Sequence, residues 1–281
     1  MTEPMQEVQP VTLSSQAFLI LCRLFDGVYD ELKQNEQIVE LVESIANMLL
    51  AGVETLEKQE EKPKNLEAEG RAMSTRPELH VITNGRQGLE EVLAMAEAAY
   101  AGGMDYLHIR EKQRTARECM DWVKALSTVM PSSCLIVNDR VDVAAASGCR
   151  GAHLAYHSLT PSEARLLLAK EQWIGRSVHS VKEAEAAAAE GATYALYGHL
   201  FPSGSKPGVP ARGTGELTSI TAALSIPVIG IGGITPANTT QVLAAGCRGI
   251  AVLSGITDAH NVKEATAAYR NVLDTWEGRS I

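Results

Sequence analysis

The chain has few of the features that would place a protein outside the cytoplasm or on nucleic acid. Its five cysteines, Cys22, Cys119, Cys134, Cys149 and Cys247, show no CxxC spacing. That excludes a zinc ribbon and a disulfide framework and reads as reduced thiols in a cytoplasmic protein. No apolar run is long enough to span a membrane, so no membrane partner is expected. The apolar stretch near the start is broken by Arg23 and Asp26 and has no basic segment before it, which argues against a signal peptide. Basic clusters are also missing. With 34 Asp and Glu against 25 Lys and Arg, and a pI near 5.3, nucleic acid is not an expected partner.

The acidity is not evenly spread. Residues 1–72 hold 14 acidic and 6 basic side chains, which is −8 of the −9 total, so residues 73–281 are close to neutral with 20 acids and 19 bases. The asymmetry marks a boundary between an acidic extension, 1–72, and a domain, 73–281. Within the extension, Leu19, Leu21, Leu24, Val28 and Leu32, then Ile38, Leu41, Val42, Ile45 and Leu49, keep a helical period, and Gln59–Arg71 reads as a charged linker. One or two amphipathic helices are expected there. Three readings stay open: a dimerisation or docking element, which would make the protein a homo-oligomer; a poorly ordered acidic appendage; or a start at Met73.

From residue 79 onward, short apolar runs alternate with longer amphipathic ones, eight times over. The expected strands are Leu79–Thr83, Tyr106–Arg110, Cys134–Asn138, Gly151–Ala155, Trp173–His179, Thr193–Gly198, Pro227–Gly232 and Gly249–Ser254. Expected helices are Gly88–Ala101, Ala116–Val129, Pro161–Ala169, Val181–Glu190, Glu216–Leu224, Pro236–Ala245 and Val262–Trp276. Thr160-Pro161, Ser180 and Thr235-Pro236 look like N-caps, while Gly102-Gly103, Gly191 and Gly246 look like helix ends. Strict alternation means a parallel sheet, and eight units in about two hundred residues fit a (β/α)8 TIM barrel better than an open doubly wound sheet.

In such a barrel the chemistry lies on the loops after the strands. The strand Thr193–Tyr197 leads into the loop Tyr197–Gly213, with His199 at its lip, a titratable group where an active site is expected. Gly230–Pro236 and Val252–Ile256 end the last two strands, and glycine-freed amides there suit a phosphate.

These strands carry a resemblance. Leu79-His-Val-Ile-Thr83, Leu107-His-Ile-Arg-Glu-Lys112, Val137-Asn-Asp-Arg-Val-Asp-Val-Ala144, Gly151-Ala-His-Leu154, Ile174-Gly-Arg-Ser-Val-His179 and Pro227-Val-Ile-Gly-Ile-Gly-Gly-Ile234 appear in the order found in the thiamine phosphate synthase / TenI superfamily of small barrels. The resemblance covers residues 79 to 275 and implies one of two activities. The synthase couples a pyrimidine diphosphate to thiazole phosphate and holds magnesium with two aspartates. Asp139 matches the first, but the second falls in Ala155-Tyr-His-Ser158, where this chain has no carboxylate. His199 follows Gly198 where the synthase tends to have proline, the run after it is Ser203-Gly-Ser-Lys206, and His108 replaces the usual Gln.

Gly198-His199, His108-Ile-Arg-Glu111 and Gly175-Arg-Ser-Val-His179 instead resemble the TenI branch, a thiazole tautomerase. Its expected reaction moves one proton, converting a carboxythiazole phosphate tautomer to its aromatic isomer without a cofactor or metal. The resemblance implies His199 as general acid/base, Gly232, Gly233, Ser254 and Gly255 around the substrate phosphate, and Arg110, Lys112 and Lys206 as cations for phosphate or carboxylate. Asn138 and Ser177 match ligand-facing positions, or else hydrogen-bond a neighbouring loop. His108 and His179 read as packing groups behind the site. The synthase, with a substitute ligand such as Glu111, and a non-catalytic ligand-binding regulator are the alternatives.

Overall fold

The computed structural model describes residues 76–204 and 208–278. The acidic extension and the helices expected in it lie outside the described residues, as does Lys206.

Eight parallel strands close into a barrel in sequence order: β1 (Glu78–Ile82), β2 (Tyr106–Ile109), β3 (Leu135–Asn138), β4 (Gly151–Leu154), β5 (Trp173–Val178), β6 (Tyr194–Gly198), β7 (Val228–Ile231) and β8 (Gly249–Val252). β8 pairs back onto β1, with Glu78 opposite Gly249. The expected (β/α)8 barrel is the observed one, and the open sheet is excluded.

Successive side chains along a strand point to opposite faces. The outward set, including Leu79, Val81, Leu107, Ile109, Leu135 and Val137, forms the core shared with the helices. The inward set joins Ile82, Ile136, Tyr194, Leu196, Ile229 and Ala251 in a second cluster. Where an interior of this size is normally aliphatic, three histidines, His80, His108 and His153, also lie fully inside. Gly175 makes room for them: a Cβ there would stand 2.1 Å from the Tyr194 ring and 2.5 Å from His153 Nδ1.

Around the barrel run α1 (Leu89–Ala101), α2 (Ala116–Leu126), α3 (Val141–Ser147), α4 (Pro161–Arg165), α5 (Val181–Ala189), α6 (Gly215–Ala223), α7 (Thr239–Ala244), α8 (Ser254–Thr257) and α9 (Val262–Asp274). Thr115 and Thr160 cap α2 and α4 with reciprocal Glu118 and Glu163 boxes, and Ser180 caps α5. Several elements differ from expectation: α2 and α4 stop at Leu126 and Arg165 rather than at Val129 and Ala169, and α8 is an addition. α3 occupies Val141–Ser147, where no helix was expected: Asp139 turns the chain at φ 61° and Gly148 ends the helix at φ 62°. α7 begins at Thr239 rather than Pro236, because Asn238 first closes a turn by accepting from the Thr235 N–H at 2.8 Å. None of the described helices is long and apolar enough to cross a membrane.

Candidate active site

The site lies at the C-terminal ends of the strands. By strand alternation Arg110, Asn138 and Ser177 fall on the inward face at the mouth, three positions that the sequence pointed to separately. Beneath them the buried Thr83 hydroxyl donates to Glu111 Oε1 at 2.7 Å and accepts from the Arg110 N–H at 2.9 Å. Arg114 Nε donates to Glu111 Oε2 at 3.2 Å. Glu111 is therefore a buried strut with each carboxylate oxygen holding one hydrogen bond.

Asp139 is arranged differently. Its left-handed backbone is one that Asp tolerates better than most residues. Oδ1 accepts from the Ser158 hydroxyl and from the Ala155 N–H at 3.3 Å, while Oδ2 lies 3.8 Å from His157 Nε2. Ser158 thus stands where the resemblance places a second aspartate, and binds the first. A cavity of about 330 Å3 opens here, lined by Glu111, Lys112, Arg114, Asn138, Asp139, Arg140 and His157. Among the described residues no three His, Cys, Asp or Glu side chains cluster to hold a metal alone. Magnesium is commonly held by one or two carboxylates together with substrate phosphates, so Asp139 Oδ2 fits a magnesium ion that a diphosphate shares. The missing second aspartate does not exclude the synthase.

Ser177 is supported from below by His153, whose Nε2 lies 2.9 Å from the hydroxyl and whose Nδ1 lies 3.1 Å from Tyr194 Oη. Burial lowers the His153 pKa to about 3, so the ring is neutral, and the same cause raises the Tyr194 hydroxyl well above its ordinary value. Ser177 also borders a second cavity of about 400 Å3 with Tyr156, Arg176 and His179. His179 lies past the end of β5, against Glu183 at 3.3 Å, rather than within the strand.

His199 follows β6 through a cis peptide from Gly198. It is 5% exposed and lines neither cavity. Its Nε2 donates to the Val209 carbonyl at 3.2 Å, and its own carbonyl accepts from the Arg212 N–H at 3.0 Å, so it ties down the loop that carries Lys206. Since a carbonyl only accepts, Nε2 carries a proton, and Nδ1 is the ring nitrogen not engaged by Val209. Gly232 and Gly233 adopt φ 98° and 64°, and Cβ atoms there would stand 2.2 Å from His199 Cβ and 2.4 Å from the Pro202 carbonyl. Their need for glycine is explained by packing against the β6 loop. At Gly255 a Cβ would meet Tyr269 Oη at 2.3 Å, and Ser254 and Gly255 are exposed on the four-residue α8. None of these four has a phosphate role that the packing requires.

Sequence reasoning left Ser158, Arg114, Arg140, His80 and His153 without roles and gave His108 a packing one. For the three histidines the signal is their shared strand face, which counting by twos gives, while the structure shows that this face is the inner one.

A closed parallel barrel whose mouth gathers lysine and arginine beside the Asp139 and Glu111 carboxylates has the architecture and site placement of a (β/α)8 barrel enzyme. The sequence pattern of the thiamine monophosphate synthase family matches residues 79–256, and the chain belongs to that family. Among its relatives, the thiamine-phosphate synthase of Haloquadratum walsbyi is 40% identical over 210 residues, covering 72% of this chain and 94% of that protein. The thiamine-phosphate synthase of Methanoculleus marisnigri is 39% identical over 201 residues, covering 70% and 94%. In structure, the thiamine phosphate pyrophosphorylase of Pyrococcus furiosus superposes with a TM-score of 0.62 at 32% identity, over 70% of this chain and 95% of that one. These names match the synthase, held above as the alternative, and do not distinguish the tautomerase branch.

Proposed function

We propose that this chain is a thiamine phosphate synthase, joining a pyrimidine diphosphate to thiazole phosphate. The observation that carries the reading is the cavity that Asp139 lines together with Lys112, Arg114, Arg140 and Asn138. Coupling expels diphosphate with the bonding electron pair, so negative charge develops on the leaving oxygens. Fixed cations there stabilise the transition state more than the ground state. Lys112 meets that charge, Arg140 lines the same cavity but is paired with Asp142, Arg110 and Ser177 serve the substrates at the inner face, and Arg114 holds the Glu111 strut. Magnesium, held by Asp139 together with the diphosphate, would add charge neutralisation as a Lewis acid.

The test is magnesium-dependent formation of thiamine phosphate from the two substrates. Asp139→Asn is expected to lower kcat/KM by at least roughly a hundredfold, the scale of losing one electrostatic group at a reacting centre. Wild-type protein that makes no product with magnesium would overturn the reading.

One observation favours a second activity, the thiazole tautomerase. His199 is a buried histidine at the end of β6 with Nε2 held by the Val209 carbonyl, and an imidazole fixed by one nitrogen is a side chain suited to taking and returning one proton. Under that reading His199→Asn abolishes isomerisation of the carboxythiazole phosphate tautomer and spares phosphate binding. Under the synthase reading it affects turnover only through the loop it anchors.

A further inference from the structure

The interior histidines take no part in the chemistry above, yet two of them connect the lower end of the barrel to its mouth. Glu78 and His80 share the inner face of β1, His108 stands beside them on β2, and Asn138 is the last residue of β3. Glu78 Oε1 meets Arg248 Nε at 3.3 Å, and Glu78 Oε2 lies 3.2 Å from His80 Nε2. His80 Nδ1 lies 2.9 Å from His108 Nε2. Two buried polar atoms are left over, His108 Nδ1 and Asn138 Oδ1, at the point where those two side chains approach each other. Buried polar groups without partners are costly, so this pair calls for an account.

The chemistry of the end groups orders the protons. A carboxylate only accepts, so His80 Nε2 donates to Glu78. An amide oxygen only accepts, so it is a proton on His108 Nδ1 that closes the last gap. Burial, reinforced by His80 and His153, holds the His108 pKa well below its ordinary value, so that ring is neutral and its Nε2 is a lone pair. That lone pair accepts from His80 Nδ1, so His80 donates from Nδ1 to His108 and from Nε2 to Glu78. The polar rings around His80 are those of His108, Tyr106 and Tyr194, and Arg248 lies behind Glu78. The reverse order would present an amide oxygen to anionic ligands in a mouth lined with cations.

We propose that Glu78, His80 and His108 are positioning residues: their one-directional file turns the Asn138 oxygen inward and its NH2 group outward, making Asn138 a fixed donor to substrate diphosphate. The identity of that ligand rests on the synthase reading, whereas the proton order does not.

Two measurements on the full-length protein test it. In a long-range proton–nitrogen spectrum of 15N-histidine-labelled protein, His108, assigned by its loss in His108→Gln, is expected as the Nδ1–H tautomer. His80 is expected with both nitrogens protonated. Calorimetry with inorganic diphosphate and magnesium is expected to show affinity falling about tenfold in Glu78→Gln and His108→Leu, the scale of one charge-assisted hydrogen bond. His108→Gln is expected to stay within about twofold of wild type, because glutamine can accept from His80 and donate to Asn138. A wild-type His108 in the Nε2–H form, or equal losses for Gln and Leu at 108, would overturn the proposal. A protein that binds diphosphate normally but turns nothing over would instead count against the synthase reading.

Discussion

At the scale of single residues, burial decides what the polar groups of this barrel can do. His153 illustrates the sign of the effect. Its folded pKa near 3 lies below the ordinary histidine value of 6.5, so between those limits the unfolded chain binds a proton that the folded chain does not. Its contribution to stability is therefore complete above pH 6.5 and lost as the pH falls from 6.5 toward 3, at up to about 1.4 kcal/mol per pH unit. His108 acts in the same direction. Thermal melts in this window are expected to show Tm dropping with acid, and His153→Gln is expected to flatten the slope. An equally steep slope in that variant would rule His153 out as its source. The sequence showed these histidines but not their depth, because depth depends on which face of each strand turns inward.

At the scale of elements, most of the fold was legible and the misreadings had local causes. Strands were found because each is a short run of Val, Ile, Leu or Tyr bounded by polar residues, and most starts and stops agree within about two residues, as boundaries do. α3 was hidden because its seven residues, Val141–Ser147, follow β3 after a turn made by Asp139, a residue with no obvious break signal. The glycines after β7 were visible, but their reason was not: it is the approach of the β6 loop, which brings together segments some thirty residues apart. Gly232→Ala is thus expected to displace His199 and the loop it anchors. Backbone conflict and overpacking of this kind cost about 1–3 kcal/mol. A crystal structure of the variant with His199 and Val209 unmoved would refute the coupling.

At the scale of the whole molecule, the barrel corresponds to nearly the full length of its relatives while using about seven-tenths of this chain. A protein beginning at Met73 is accordingly expected to keep kcat/KM within about twofold of the full chain and to melt cooperatively. Loss of folding or turnover in it would make residues 1–72 part of the working unit. Family, topology and the general position of the mouth could be read from linear sequence, since they depend on periodicity and strand ends. The binding of Asp139 by Ser158, the engagement of Glu111 and the polar interior could not, because each joins residues from different strands. The interior carries a further consequence. Replacing a buried polar network with aliphatic side chains of similar volume is often neutral or stabilising. A library of this barrel's centre sorted only for survival of heating is expected to converge on Leu, Ile and Val and to shed diphosphate affinity, so endurance and recognition pull the same few positions in opposite directions.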